Sequence, residues 1–167
     1  MSMVHYTIRA ATSADAAVIA GHRVAMFRDM GEVPSQQLAS ELLADCTRAL
    51  RSLIRDGAYW GWLAVDDAAV VIGGAGAHIR AQLPRISHDG TRVDGGSVPL
   101  VVNVYTEPAR RHQGIARALM RALMAWGAAQ DFDRVVLHAS ESGRPLYQSL
   151  GFLPTNEMRW SPVSAAP

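Results

Sequence analysis

Apolar and polar residues alternate from His5 to Ala10, the two-residue period of a short strand. Thr12 followed by Asp15 makes a capping pair for a helix running toward Met30, and Gly31 to Pro34 stop it. Ser35 caps a second helix over Gln36 to Arg55, with Leu38, Leu42, Leu43, Leu50 and Leu53 supplying its apolar side. Asp56-Gly57 ends that helix. Tyr59 to Val65 and Val70 to Ile79 read as strands of a hairpin that turns at Asp66-Asp67. Gly73, Gly74 and Gly76 in the returning strand predict a bulge or close backbone packing. Periodicity lapses from Arg80 to Gly96, an exposed hairpin or loop, and resumes in the β-branched run Val98 to Thr106. Beyond Pro108 the period changes from two to about 3.6 across Arg111 to Gly114, and Ile115, Leu119, Met120, Leu123 and Trp126 mark a helix to about Gln130. A strand over Arg134 to Ala139, a short helix near Arg144 to Leu150 and a last strand ending near Trp160 complete the pattern. Strands interleaved with helices predict a mixed α/β sheet. The expectation is one domain over residues 1–160 and a disordered tail from Ser161 to Pro167.

The passage from strand to helix at Arg111 to Gly114 carries the first chemical signal. A helix starting there directs its unpaired N–H groups and the positive end of its dipole into the turn, and Gly114 admits a ligand close to the backbone. A pyrophosphate suits such a site.

Arg111-x-x-Gly114-x-Ala116 resembles the Arg/Gln-x-x-Gly-x-Gly/Ala signature of the GCN5-related N-acetyltransferase (GNAT) family. Arg144-Pro145-Leu146-Tyr147-Gln148-Ser149-Leu150-Gly151-Phe152 resembles the family's Leu-Tyr-x-x-x-Gly-Phe segment, and Ile8-Arg9-Ala10-Ala11-Thr12-x-x-Asp15 its usual opening. The resemblance spans nearly the whole chain. It implies a single-domain GNAT fold, a central mixed, mostly antiparallel, splayed sheet flanked by helices. It further implies acetyl-CoA as cosubstrate and direct attack by a primary amine within a ternary complex. By the same resemblance, Val104, Tyr105 and Thr106 lie along the pantetheine arm with backbone hydrogen bonds, much as another strand would. Arg111, His112, Gln113, Gly114, Ile115, Ala116 and Arg117 then surround the pyrophosphate, and Tyr147 protonates the departing thiolate. Ser140 stands where many relatives have an asparagine that contacts the cofactor arm, and offers one hydroxyl instead.

The acidic base that some members carry before the phosphate loop is missing, since Val98 to Asn103 contains no Asp, Glu or His. His138 and Glu141 are the neighbouring candidates to accept the amine's proton, with Glu107 behind them. Arg23, Met26, Phe27, Arg28, Met30 and Glu32 form a mixed cluster on the side expected to receive the acceptor, although Met26 and Phe27 read first as core. The loop with His88, Asp89 and Arg92 reads as exposed or as a lid, and Trp60 and Trp62 share a strand face suited to packing or to a homodimer interface. Small amines, amino sugars, amino acids and protein amines remain open as acceptors. A noncatalytic acyl-CoA-binding module is the rival reading, distinguished by the absence of turnover.

Composition narrows the classes. A net charge of +1, with charged residues at 19% and no basic runs, argues against nucleic acid or an anionic membrane as partner. All 16 Lys+Arg positions are arginine, which rules out a catalytic lysine; GC-rich coding bias accounts for the preference as well as phosphate binding does. Cys46, the single cysteine, permits no intramolecular disulfide or cysteine metal cluster and reads as a small buried hydrophobe. No metal site is implied. The N-terminus lacks a signal pattern and apolar runs break well before the ~20 residues of a membrane span, so a soluble cytoplasmic protein is expected.

Overall fold

The computed structural model describes residues 5–155 together with 157 and 158. In chain order the elements are β1 (Tyr6–Ala10), α1 (Ala16–Asp29), α2 (Gln36–Arg55), β2 (Tyr59–Asp66), β3 (Val71–Ala81), β4 (Arg85–Ile86), β5 (Val93–Asp94), β6 (Ser97–Thr106), α3 (Ile115–Ala129), β7 (Val136–Leu137) and α4 (Arg144–Ser149). Five strands form one sheet in the order β1-β2-β3-β6-β7, antiparallel except for the parallel β6–β7 pair.

Strand alternation divides the core in two. Leu63 of β2 joins Ala16, Ile19 and Ala20 of α1 and Leu50 of α2 on one face, while its neighbour Ala64 joins α3 on the other. Ile115, Leu119, Met120 and Leu123 of α3 are fully buried against the sheet. At about 1.5–3 kcal/mol for each such side chain, this stripe fixes the rotation of α3 and therefore the direction of its N-terminus.

The entry to α1 follows the expected capping pair. The Asp15 carboxylate accepts from Thr12 N–H (2.8 Å) and from both terminal nitrogens of Arg9 (2.9 and 2.7 Å). The Arg9 guanidinium and the Thr12 amide hold its carboxyl at about 2. In α2 the inward side differs from expectation. Ala39 and Leu50 are buried with Leu42 and Leu53 partly covered, whereas Leu38 and Leu43, which flank this stripe, are exposed. Cys46 packs half-buried against the same cluster.

The strand predicted over Arg134 to Ala139 pairs only at Val136–Leu137, because its neighbour β6 diverges there. Residues 152–155 make no ladder, and the rest of the predicted last strand and tail falls largely outside the described residues. β3 runs on through Ala81, and the segment from Gln82 to Gly96 carries the small β4–β5 hairpin, pinned to the turn after α3: Asp133 accepts from His88 N–H (2.9 Å) and Asp131 from Arg92 (2.6 Å). Trp60 and Trp62 both pack on Trp126 of α3, their ring centroids 5.3 and 5.5 Å away. No helix among the described residues is long and apolar enough to cross a membrane.

The glycines of β3 mark the bulge the sequence suggested. Gly76 faces Asn103 and Ala77 faces Val101, leaving Val102 as an extra residue in β6. Arg23 of α1 reaches the bulge, donating to Val102 O (2.9 Å) and Asn103 Oδ1 (2.8 Å). Asn103 Nδ2 in turn donates to the buried Tyr59 hydroxyl (3.1 Å). The Tyr59 hydroxyl occupies the space that a Cβ at residue 76 would need. Gly76→Ala should therefore displace Tyr59 at a cost of about 1–3 kcal/mol, lowering the melting temperature by several degrees. A melt indistinguishable from the parent's would show that Tyr59 does not fix the bulge.

Candidate active site

β6 and β7 are paired at only two positions, Leu100–Val136 and Val101–Leu137. Beyond these the strands separate, and a cleft of about 1130 Å³ opens between residues 101–106 and residues 137–140. The end of α1 closes one side of it with Arg23, Met26, Phe27 and Asp29, while the start of α3 and Tyr147 of α4 close the other.

A short 3₁₀ turn at Pro108–Arg110 leads from β6 into α3. His112 (φ 62°) and Gly114 (φ 80°) both adopt left-handed backbone, uncommon for histidine and natural for glycine. The first helical bond runs from Ala118 N–H to Gly114 O (3.0 Å), so the amides just before it have no acceptor within the helix. Together with the helix dipole they turn positive potential toward the cleft. The buried side chain of Ile115 anchors this turn in the core.

Of the residues singled out in the sequence, Val104, Tyr105, Thr106, Arg111, His112, Gly114, Ile115, Ala116, Arg117, Ser140 and Tyr147 all line the cleft. Gln113 does not; its side-chain amide faces Ala109 O (3.4 Å). The Arg111 side chain is engaged within the protein, donating to Thr106 O (3.0 Å) and ion-paired with Asp29. Arg117 donates to Ser149 Oγ (2.9 Å), tying α3 to α4. Ser140 Oγ accepts from Gly143 N–H (3.2 Å) and so shapes the turn into α4.

The turn after α4 holds Tyr147 in place. Gly151 (φ 91°) reverses the chain, Phe152 N–H donates to Tyr147 O (3.0 Å), and the Phe152 ring meets the Tyr147 ring edge-on at 6.0 Å. Gly143 gives the ring its place, since a Cβ there would lie 2.9 Å from Tyr147 Cε2. Burial raises the phenol's pKa, so the hydroxyl is a proton donor at neutral pH.

The base candidates separate. Glu141 is exposed and does not line the cleft, and Glu107 lies 3.6 Å from the buried His22. His138 does line it, and its Nε2 lies 2.7 Å from Glu157 Oε2. Met26 and Phe27, first read as core, are half-buried cleft residues, and the Arg23 guanidinium stacks 4.7 Å from the Phe27 ring centroid. Their spacing with Arg23 at i, i+3 and i+4 puts all three on one helical face, the signal that marks them in the sequence. Gly143 and Asn103 carried no such signal.

A twisted sheet that opens beside a helix N-terminus defines an acetyltransferase of the GNAT class, and the sequence agrees: the profile of the Acetyltransferase (GNAT) family matches residues 25–152. The chain belongs to that family. A GCN5-related N-acetyltransferase from Ralstonia eutropha JMP134 is 28% identical, with 96% of this chain and 100% of that one covered, at a TM-score of 0.81. A predicted acetyltransferase with acetyl-CoA from Clostridium acetobutylicum shares the fold at 24% identity and TM-score 0.78, over 94% and 96% of the two chains. An aminoglycoside N-acetyltransferase in complex with CoA shares it at 20% identity and TM-score 0.69, over 97% of each. No curated protein matches the chain.

Proposed function

We propose that this chain transfers the acetyl group of acetyl-CoA to a primary amine by direct attack in a ternary complex, within one domain over residues 1–160. The observation that carries the reading is the parting of β6 from β7 next to unpaired amides at the start of α3. A cosubstrate with an amide-bearing arm and a pyrophosphate requires an unpaired strand edge and an anion site in line, and the cleft supplies both.

The backbone of Val104 to Thr106 would take the pantetheine amides, with the Ser140 hydroxyl on the opposite lip. The amides leading into α3, with His112, would take the pyrophosphate. Arg111 would hold the loop against α1 through Asp29, and Arg117 would hold α4 in place through Ser149. Acetyl-CoA supplies the activated thioester; the protein supplies orientation and protons. Tyr147 is assigned to protonate the departing sulfur, a role that its place on the cleft lining supports.

Three expected outcomes test the reading. Acetyl-CoA or CoA at 100 times its Kd should add about 2.7 kcal/mol of stability, or roughly 5–10 °C in melting temperature; no shift at millimolar CoA would remove the cofactor assignment. Gly114→Val forces a β-branched residue into left-handed backbone and crowds the amides, so CoA binding should be lost from a protein that still folds. Undiminished affinity would displace the pyrophosphate from this loop. Tyr147→Phe should keep CoA affinity and lose kcat, toward the lower end of the about 10²–10⁴-fold range of general acids, because a thiolate leaves readily. Thiol release across a panel of amines reads that effect, and an unchanged kcat with chemistry rate-limiting would return Tyr147 to a packing role.

A further inference from the structure

An aliphatic amine arrives as an ammonium ion and has to lose a proton before its nitrogen can attack. Resting on the acetyltransferase reading above, we propose that His138 is the general base for this proton and that Glu157 is its positioning residue.

His138 follows β7 just where that strand parts from β6, so it belongs to the wall facing the exposed edge of β6. Its Nε2 lies 2.7 Å from Glu157 Oε2. A carboxylate only accepts hydrogen bonds, so the Nε2 position carries the hydrogen and the lone pair falls on Nδ1. A base oriented by a third group is the arrangement that proton abstraction needs. The imidazole side chain is 58% exposed, which gives the captured proton a path to solvent.

The competing groups are committed or unsupported. Asp29 is paired with Arg111, Glu107 faces His22, and Glu141 lies outside the cleft. Glu32 lines the cleft, but its carboxylate accepts no hydrogen bond among the described residues. Tyr147 is held protonated by burial and serves as the acid. A proton acceptor and a proton donor on the lining of one cleft divide the work between them. In the step itself, nitrogen forms a bond to the acetyl carbon as the carbon–sulfur bond breaks. The ammonium's proton passes first to His138 Nδ1 and on to solvent; after the attack the nitrogen's surplus proton leaves by the same route, while the sulfur takes a proton from Tyr147, whose phenolate regains one from solvent.

The test follows thiol release from acetyl-CoA with a panel of primary amines across a pH series, comparing the parent with His138→Asn, His138→Ala and Glu157→Gln. Of the charged groups lining the cleft that His138 shares, α1 contributes Arg23 and Asp29 and the turn after it Glu32. The α3 start contributes Arg111, His112 and Arg117, and α4 contributes Tyr147; Glu157 is the carboxylate in contact. His138→Asn should keep the CoA-induced melting shift and lose about 10²-fold or more in kcat near neutral pH. That gap should narrow as pH approaches the amine's own pKa, and added imidazole should restore part of the activity of His138→Ala. Glu157→Gln weakens the acceptor that orients the imidazole, so kcat should fall while the KM for acetyl-CoA and the CoA-induced melting shift hold. A loss below about threefold in His138→Asn, given the ~10²-fold expected of a general base, would overturn the assignment. So would a loss equal at every pH and untouched by imidazole. If the parent itself releases no thiol with any amine, the acetyltransferase reading fails first, and this assignment with it; if the parent is active, the variants judge His138 alone.

Discussion

Everything at the site depends on β6 having half of one edge left unpaired. A buried strand normally exchanges its N–H and C=O groups with neighbours on both sides, and an edge left bare inside a domain is costly. Here β3 covers one side of β6 along its length, while β7 leaves after two residue pairs. The bulge at Val102 lies next to the last of those pairs and increases the local twist. Arg23 takes up the bulged carbonyl, and Asn103 and Tyr59 brace the bulge from behind. The open edge is thus held by a polar network on the face occupied by α1, while α3 presses on the other face with its apolar stripe.

That arrangement explains a division of labour among the arginines. Arg23 is spent on the bulge, Arg111 on Asp29 and Thr106, and Arg117 on Ser149. Each stabilises the frame of the cleft, and the proposed anion site is left to backbone amides and the dipole of α3. Amides fixed by a buried helix are already oriented when a ligand arrives, whereas a long flexible guanidinium would first have to be ordered.

Local signals carried much of this. The change of period at Arg111 to Gly114 marked the start of α3, the β3 glycines marked the bulge, and Leu-Tyr-x-x-x-Gly-Phe marked a turn whose physics is now explicit: Gly151 reverses the chain so that Phe152 can brace Tyr147. What escaped was set by tertiary pairing. The length of β7 depends on where β6 diverges, so Arg134 to Ala139 looked like a longer strand than it is. Leu38 and Leu43 look like core in a helical count and stay exposed because α2 turns the stripe through Ala39 and Leu50 chiefly toward α1. The pairing of His138 with Glu157 joins residues 19 positions apart, and no spacing rule links them.

The arginine-only surface has a chemical consequence of its own. Every lysine-or-arginine position in the protein is an arginine, as in the pairs Arg9–Asp15, Arg92–Asp131 and Arg134–Asp133. A guanidinium stays protonated at any physiological pH and is no nucleophile toward a thioester. A catalyst that works beside an activated acetyl donor therefore presents no side-chain amine of its own to be acetylated, and its ion pairs cannot be erased by the reagent it handles.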